Sequence, residues 1–375
     1  MEYCKLCVMP TTRPKLELNK EGVCSACITA KKKDNNIDWI NREKEFKEIL
    51  NKFRNKDKTK YDCIIPVSGG KDSIYQVHIM KNVYDMNPLC VTFRTDARTP
   101  LGEKNIQALR DMGVDHIDFT PNPIGFRKLR KKCFLEEGDC SIPDHLAIWS
   151  IPPIIAIKFN IPLIIWGENP DIEYGAPENE MDISKLTKKW LEKQNILKGK
   201  KAEDWVDDEI SLNEIQSLIY PDEKELNKID YTPLFLGYYI QWDAKQNIEI
   251  AKKYGFQTRK EGPVVGIYDY ADLDCMYIII HHYFKYLKFG FGSTSDHVSN
   301  EIRKGRITRE EGIKMVKESD GRKPPKEYIT HFCNNIGITE KQFWKVADKF
   351  RGKEIWNKNE KGKWYIKGGI GNSQI

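Results

Sequence analysis

The chain has 375 residues, of which 61 are basic and 55 acidic, and its formal net charge is +6. Lysines and acidic residues are interspersed over most of the length, which argues against a nucleic-acid surface, because such surfaces cluster their positive charge. The apolar stretch 148–166 is interrupted by prolines and predicts a buried helix and strand, not a membrane span. Without an apolar signal core, the expected location is the cytoplasm, where ten cysteines indicate metal binding or buried thiols.

Two Cys-x-x-Cys pairs open the chain, Cys4 with Cys7 and Cys24 with Cys27, and 16 residues separate them. This spacing is typical of a four-cysteine zinc site, in which each pair supplies two thiolates to one tetrahedral ion. Residues 1–37 include few apolar side chains, so metal would supply the folding energy of this segment. The expected role of Zn²⁺ is structural, because four thiolates leave no position for a substrate; a disulfide or redox pair is the alternative.

The next part of the chain, residues 38–180, is predicted to be an α/β domain. A helix is expected over 38–54, and apolar runs that indicate strands alternate with helical stretches after it. The expected strands are 62–67, 89–93, 116–120 and 162–166, and the helices between them include 73–86 and 101–112. Such alternation predicts a doubly wound parallel sheet, which binds ligands at the carboxyl ends of its strands.

The remaining sequence divides into two parts. Residues 181–230 are rich in Lys, Asp and Glu with little periodicity, which predicts a polar surface insertion or a mobile lid. Residues 231–375 are aromatic and helix-like, and we expect them to form a mostly helical region for substrate or partner binding. Trp356 and the run 364–366 flank a polar turn and predict a terminal hairpin.

The segment 68–73, Ser-Gly-Gly-Lys-Asp-Ser, stands between the first predicted strand and a helix. Its glycines let backbone N–H groups approach an anion, and the helix N-terminus adds a partial positive charge. Lys71 adds a full charge and Ser73 a hydroxyl donor. The spacing differs from the nucleoside-triphosphatase loop, which has four residues between its first glycine and Gly-Lys. The segment resembles the PP-loop of the ATP pyrophosphatase superfamily, which splits ATP into AMP and pyrophosphate.

In that reaction, pyrophosphate must be held and a metal must offset its charge. The residues expected to hold ATP and its pyrophosphate are Ser68, Gly69, Gly70, Lys71, Asp72, Ser73, Asp96 and Gly167. Lys71 and Asp72 are also catalytic candidates: Asp72 is a candidate Mg²⁺ ligand or an orienting group for the loop, and a helix cap is its alternative role. Asp96 follows the second strand, where the superfamily places its nucleotide.

An acidic turn follows the fourth predicted strand, at Glu168, Asn169, Asp171 and Glu173. Carboxylates on such a turn can hold Mg²⁺ or position a nucleophile, and Glu168 is the catalytic candidate among them. Ordinary turn chemistry explains the same residues equally well, because Gly, Asn, Pro and Asp all favour turns.

Motifs along nearly the whole chain resemble the N-acetyl sugar amidotransferase family. They are the two cysteine pairs, Val-Ser-Gly-Gly-Lys-Asp-Ser, Gly-Glu-Asn-Pro-x-x-Glu-Tyr-Gly, Phe-Leu-Gly-Tyr-Tyr-Ile-Gln-Trp-Asp, Lys-Phe-Gly-Phe-Gly-Ser-Thr-Ser-Asp-His and the run 303–312. The family includes enzymes of lipopolysaccharide biosynthesis and of the pseudaminic or legionaminic acid glycans of flagellin. The resemblance implies that an acetamido group becomes an acetamidino group, with ATP and Mg²⁺ as cofactors.

This chemistry explains the use of ATP, because an amide oxygen is a poor leaving group. Adenylation of that oxygen makes AMP the leaving group, and ammonia then attacks the imidate carbon. No cysteine shows the signature of a glutaminase nucleophile, so the expected partner is a separate glutaminase subunit, with an ammonia-channelling subunit as a further candidate. The substrate is an N-acetyl sugar, either free or nucleotide-linked.

The turn 289–297 and the helix-like run after it predict the sugar site, at Ser293, Thr294, Asp296, His297 and Arg303. Several short donors next to glycines suit a polyhydroxyl ligand. His297 is also expected to relay a proton from the attacking ammonia, because an unperturbed imidazole titrates near neutrality. The alternative is a helix capped by Ser295 or Asp296 with a structural histidine.

Two other functions stay open at this point. A tRNA-thiolating enzyme would share the loop and the cysteine pairs, and it would place reactive cysteines near the loop. Cys133 and Cys140 are the only candidates for that role. A scaffold that binds nucleotide without catalysis is the other alternative.

Overall fold

The computed structural model describes residues 1–170, 173 and 184–370, without the side chains of 34–36 and 195. Its centre is a five-stranded parallel sheet with the strand order β3-β2-β1-β4-β5. The strands are β1 (Cys63–Pro66), β2 (Pro88–Phe93), β3 (Asp115–Phe119), β4 (Leu163–Trp166) and β5 (Thr232–Phe235). Strands β2 and β3 lie on one side of β1, and β4 and β5 lie on the other. The strand order therefore reverses direction at β1, and the topological switch point lies between β1 and β4. The predicted doubly wound parallel sheet is therefore confirmed.

Helices precede, separate and follow these strands. In the described residues they are α1 (Ser25–Asn36), α2 (Trp39–Phe53), α3 (Lys71–Val77), α4 (Pro100–Arg110), α5 (Pro123–Glu137), α6 (Ile142–Phe159), α7 (Lys188–Glu192), α8 (Glu223–Asn227), α9 (Leu236–Tyr239), α10 (Ala244–Lys253), α11 (Tyr277–Phe289), α12 (Ser293–Arg303), α13 (Arg309–Ser319), α14 (Lys326–Ile336) and α15 (Glu340–Lys349). A π-helical turn, His78–Val83, continues α3. A terminal hairpin pairs β6 (Trp356–Lys358) with β7 (Trp364–Ile366), as predicted.

The sheet separates two apolar cores because successive side chains of a strand point to opposite faces. Ile64 and Ile164 face one core, which α5 and α6 cover. Cys63 and Ile65 face the other core, which α2, α3 and α10 cover. Local signals set the helix ends: Thr99 caps α4 with Pro100 at its first position, which is the favoured residue there.

The fifth strand was not predicted. β5 has four residues and contains Pro233, which lacks the N–H that a central strand needs. It lies at the edge of the sheet beside β4, and its register pairs Ile165 with Leu234. A proline is tolerated at such an edge, so the strand exists without a recognisable sequence pattern.

The segment 186–218 packs against the first core. Trp190, Trp205, Ile215 and Leu218 are at most 4% exposed and contact the side chains of α6 and the sheet. The expected lid or surface insertion over 181–230 was based on the charged residues, which are mostly exposed in this segment. Its few large apolar side chains are buried, and they fix this part of the segment against the α/β domain.

The C-terminal helices attach to the carboxyl end of β2. Arg98 pairs with Cys275 in a bridge, and the backbone N–H groups of Thr99 and Met276 donate to Asp274 and Ala97 respectively, at 3.0 and 3.1 Å. Gly102 lies so close that a Cβ atom there would meet the Asp274 Cα at 2.7 Å. This contact leads directly into α11 and fixes its first turn beside the sheet.

No helix among the described residues combines the length and apolar character needed to cross a bilayer.

Candidate active site

The loop after β1 has a fixed shape. Gly69 has φ +80°, and a Cβ atom there would meet the Ile106 backbone nitrogen at 2.9 Å, so only glycine fits. The Ser68 backbone N–H donates to Ser73 Oγ at 2.9 Å, and the Gly70 N–H donates to Ser68 Oγ at 3.3 Å. The loop thus opens at the N-terminus of α3, where Gly70 is the N-cap residue and has no side chain to cap the first turn of the helix. This is the geometry that an anion-binding loop requires.

Lys71 and Asp72 form a pair next to this loop. Lys71 Nζ donates to Asp72 Oδ2 at 2.6 Å, and Asn247 Nδ2 from α10 donates to Asp72 Oδ1 at 2.8 Å. Burial opposes the charge of Lys71, but the carboxylates of Asp72, Glu168 and Asp272 outweigh it and raise the Lys71 pKa. Asp72 does not cap α3, so the alternative role as a helix cap is not observed.

A cavity of about 680 Å³ opens beside the loop at the switch point of the sheet. The α/β domain forms one wall and α11 and α12 form the other, while α1 contributes Ala30 and Lys33. Ten of the residues predicted from the sequence line it: Ser68, Gly69, Gly70, Lys71, Asp72, Glu168, Ser293, Asp296, His297 and Arg303. The tertiary structure therefore brings the loop motif and the turn 289–297 to the same space.

Four of the residues predicted to bind ATP or the sugar do not line this cavity. Ser73 lies under the loop as the acceptor for Ser68 N–H. Gly167 packs against Gln76 and accepts the backbone N–H of Gly237 at 3.0 Å. Asp96 lines a separate cavity of about 220 Å³ at the ends of β2 and β3, and it pairs with Arg130 at 3.0 Å. Thr294 is fully buried and contacts Ser319 of α13.

The acidic turn after β4 is only partly described. Glu168 lines the cavity, and Glu173 forms an ion pair with Lys33 of α1. Asp171 lies outside the described residues. The pair between Glu173 and Lys33 ties the N-terminal segment to the end of β4, a contact between positions 140 residues apart.

The N-terminus of α12 is capped by a distant carboxylate, not by Ser295 or Asp296. Asp320 accepts the N–H groups of Gly292 and Thr294 at 2.8 and 3.1 Å and the Ser295 hydroxyl at 2.6 Å. Thr294 Oγ1 lies 3.0 Å from Ser319 Oγ, so this hydroxyl serves the packing of α12 on α13. Ser293 Oγ is buried without a hydrogen-bond partner among the described residues, and Ser293 lines the cavity.

Asp296 and Arg303 face the cavity but are already paired. The two carboxylate oxygens of Asp296 contact Arg13 and Lys285, the latter at 2.5 Å. Although burial opposes ionisation, these two cations hold the Asp296 pKa below its usual range. Arg303 donates to Asn300 Oδ1 at 2.7 Å and lies 4.0 Å from Cys7 Sγ. Both residues therefore connect the cavity wall to the cysteine segment.

His297 does not have the near-neutral imidazole that the sequence suggested. Burial lowers its pKa to about 4. The backbone N–H of Ile267 donates to His297 Nδ1 at 3.2 Å, and the Tyr268 ring packs against the imidazole at a tilt of 32°, with 4.3 Å between ring centroids. Since Nδ1 accepts, the proton of the neutral ring is on Nε2. His297 is therefore a hydrogen-bond donor near neutral pH, not a proton acceptor.

Further titratable residues line the cavity that sequence reasoning did not select. They include His145, Asp272, Asp274, His281 and His282. Asp272 pairs with His282 at 3.3 Å, and burial raises the Asp274 pKa to about 6. Two sequence patterns could have pointed to these residues: the adjacent His281 and His282 in an apolar helix, and Asp272 with Asp274. Both patterns are also common in ordinary packed structure.

The cysteine segment has the donor set of a zinc site. The Sγ atoms of Cys4, Cys7, Cys24 and Cys27 all lie within 4.8 Å of one another and are buried. The Sγ atoms of Cys4 and Cys27 are 3.9 Å apart, and those of Cys7 and Cys24 are 3.7 Å apart. These distances match a tetrahedral zinc site, because Zn–S bonds of about 2.3 Å place the sulfur atoms ~3.8 Å from one another. The N–H groups of Leu6 and Cys24 point at Cys4 Sγ, which suits a thiolate. The residues therefore fit Zn²⁺.

The two cysteines considered for thiolation chemistry are inaccessible. Cys133 and Cys140 are at most 1% exposed, and neither lines the main cavity. Burial raises the pKa of both thiols well above the ordinary value, so neither has the thiolate character that reactive cysteines need.

Comparisons with known proteins find similarities to parts of the chain. Residues 265–368 match the model of the C-terminal domain of WbpG-like LPS biosynthesis proteins. An uncharacterized protein of Methanocaldococcus jannaschii, MJ1599, is 39% identical over 90 residues, which are 24% of this chain and 31% of that protein. The chain thus spans about a third of that relative's length.

Among solved structures, the NMN synthetase of Francisella tularensis has a TM-score of 0.25 and 13% identity, over 58% of this chain and 93% of its own. The informative match is the WbpG-like one, because residues 265–368 include α11 and α12. The helical wall of the cavity is thus similar to the C-terminal domain of WbpG-like LPS biosynthesis proteins, which supports the predicted resemblance to a surface-sugar family.

Proposed function

We propose that this chain is an ATP-dependent amidotransferase that converts an acetamido group of an N-acetyl sugar into an acetamidino group, with release of AMP and pyrophosphate. One observation carries the proposal: residues 68–72 of the anion loop and the helices of the WbpG-like segment line the same cavity. A phosphate-binding loop and a surface-sugar domain around one space favour ATP chemistry on a sugar. The use of ATP at its α-phosphorus follows from the resemblance of the loop to the PP-loop.

Each part of the cavity has a role in this scheme. The loop backbone and Lys71 would hold the pyrophosphate, while Asp72 and Glu168 are the carboxylates that would hold Mg²⁺, which offsets phosphate charge when bound. Ser293 Oγ and the His297 Nε2–H group are available donors for the sugar. The partly buried Arg13–Asp296–Lys285 cluster holds this wall in position.

The experiment uses the purified chain with ATP, Mg²⁺, ammonium and a panel of free and UDP-linked N-acetylhexosamines. We expect sugar-dependent AMP and pyrophosphate, and a product lighter by the difference between oxygen and NH. When the acetamido oxygen carries the heavy isotope, the label should appear in AMP, because that oxygen attacks the α-phosphorus. ADP as the product, or an unlabelled AMP, would contradict the proposal.

The same assay addresses the ammonia source. Ammonium salts should support turnover by the single chain, whereas glutamine should not, because every cysteine of the chain is buried and none is available as a glutaminase nucleophile among the described residues. A separate glutaminase is the proposed partner. Glutamine-driven turnover by the purified chain would be evidence against it.

A further inference from the structure

His281 of α11 forms a hydrogen-bonded pair with a buried carboxylate at the wall of the cavity. Its Nδ1 lies 3.1 Å from Asp139 Oδ1, and the side chains of Asp139 and His281 are 8% and 15% exposed. Asp139 also accepts the Ser141 backbone N–H at 3.0 Å, and Lys288 Nζ lies 3.9 Å from its second oxygen. The carboxylate is therefore fixed in place on both sides.

The groups around Asp139 determine which nitrogen of His281 carries the proton. Burial disfavours the ionised form of Asp139, but His281, Lys288 and the Ser141 N–H outweigh burial and bring the Asp139 pKa below its usual range. An ionised carboxylate only accepts hydrogen bonds, so Nδ1 of His281 carries the proton. When the ring is neutral, its lone pair is therefore on Nε2. Among the residues that the structure describes, none forms a hydrogen bond with that nitrogen, and His281 lines the cavity.

We infer that His281, oriented by Asp139, is the proton acceptor for the ammonia step; this inference rests on the proposed function. Ammonia attacks the imidate carbon of the adenylated amide; the new C–N bond forms as the π pair of the C=N bond moves to the sugar nitrogen, and the attacking nitrogen becomes positively charged. Nε2 of His281 takes one proton from that attacking nitrogen. The electron pair on the sugar nitrogen then re-forms the C=N bond while the C–O bond to AMP breaks, and AMP leaves with that bond's electron pair and the former amide oxygen.

The other histidines of the cavity suit this role less well. His297 carries its proton on Nε2. His282 is also paired with a carboxylate, through Nε2 with Asp272, but its other ring nitrogen, Nδ1, is buried without a hydrogen-bond partner among the described residues and is not exposed to the cavity. His145 is the closest rival, because its Nδ1 is bonded to the Ser141 carbonyl at 2.8 Å and its ring lies 6.3 Å from that of His281. A carboxylate stabilises the imidazolium that forms, whereas a carbonyl lacks the full charge to do so. Burial also lowers the His145 pKa.

The test separates the two half-reactions. Exchange of labelled pyrophosphate into ATP, driven by N-acetylhexosamines without ammonium, reports adenylation. Amidine formation with ammonium reports the second step. His281→Gln should retain the exchange and lose amidine formation by roughly 10²–10⁴-fold, the range for a general base. Asp139→Asn should act in the same direction, because an amide favours the wrong tautomer of His281. Added imidazole should partly restore amidine formation in His281→Ala.

His331→Gln is the matched control, because His331 pairs with the Tyr277 hydroxyl at 2.9 Å and does not line the cavity. It should change neither rate, and the thermal unfolding midpoints of all variants establish that they are folded. Intact amidine formation in His281→Gln overturns the inference, as does a loss confined to His145→Gln. Loss of exchange in His281→Gln also overturns it, since His281 would then act in adenylation. Absence of sugar-dependent exchange in the unmodified chain contradicts the proposed function instead.

Discussion

The two walls of the cavity are built in different ways. The sheet wall presents one continuous loop, in which Gly69 and Ser73 hold the backbone in an anion-binding shape within six residues. The helical wall is assembled from side chains that pair across the chain: Asp139 with His281 over 142 positions, and Arg13 with Asp296 over 283. A contiguous loop keeps its shape through local bonds, whereas the helical wall depends on how distant segments dock.

The cysteine segment is attached to the helical wall through contacts between residues far apart in the chain. Arg309 donates to the carbonyl oxygens of Cys7 and Cys4 at 3.1 and 3.3 Å, and Arg303 lies beside Cys7 Sγ. Through Arg13 the same segment reaches Asp296 in the cavity. A structural metal in this segment would therefore hold one side of the candidate active site as well as its own fold.

The largest expected effect is that of removing the metal site. Cys4→Ser should reduce bound zinc from about one ion per chain to none. Structural zinc supplies roughly 10–16 kcal/mol of apparent binding free energy in small zinc domains, so the segment should lose its fold and the cavity its Arg13 contact. Elemental analysis and thermal unfolding measure both results. Cys333→Ser, a buried thiol outside the cluster, is the control; an unmodified chain without zinc would refute the site.

Breaking the Asp296 cluster tests the helical wall directly. Asp296→Asn leaves Arg13 and Lys285 without their carboxylate. Loss of one partner costs roughly 3–5 kcal/mol in a fully buried ion pair, and these side chains are 14–19% exposed, so we expect a cost toward the lower end of that range. Denaturant unfolding should detect this loss. Asp348→Asn is the matched control, because its pair with Arg351 involves a carboxylate that is 63% exposed, and such pairs contribute about 0–1 kcal/mol. Equal unfolding free energies for the two variants would show that the cluster has no structural role.

The sheet wall is tested by Lys71→Ala. Loss of this buried cation should lower the rate of AMP release by roughly 10²–10³-fold, equivalent to about 2.7–4 kcal/mol, the range for a single transition-state donor. The unfolding free energy should change less than in Asp296→Asn, because Asp72 keeps its bond from Asn247. Lys44→Ala on the exposed face of α2 provides the control. Undiminished AMP release by Lys71→Ala would remove the loop from the mechanism.

The smallest expected effect is the pH dependence contributed by His297. Its pKa is about 4 in the folded chain against an ordinary value of 6.5. The folded state therefore binds fewer protons than the unfolded state between these values, so the stability from this group is complete above pH 6.5 and is lost as the pH falls to 4. Unfolding free energies across this window should rise with pH less steeply in His297→Gln than in the unmodified chain. An unchanged slope would mean that His297 is not buried as a neutral ring.

Local patterns account for the parts of the molecule that the sequence alone determined. The cysteine spacing, the strands from β1 to β4 and the loop 68–73 each depend on residues close together in the chain, because hydrophobic alternation and glycine geometry act over a few positions. β5 escaped prediction, since its proline suppresses the strand pattern while edge pairing with β4 stabilises it.

The tertiary structure alone decided which polar groups meet. Asp320 caps α12, where the local sequence offered Ser295 or Asp296, because the docked α13 presents a carboxylate to the free N–H groups. The His281 pair with Asp139 and the low pKa of His297 likewise arise from burial and from partners far along the chain. Hydrogen bonds and burial are properties of three-dimensional neighbours, so the chemical state of these residues is not present in any local stretch of sequence.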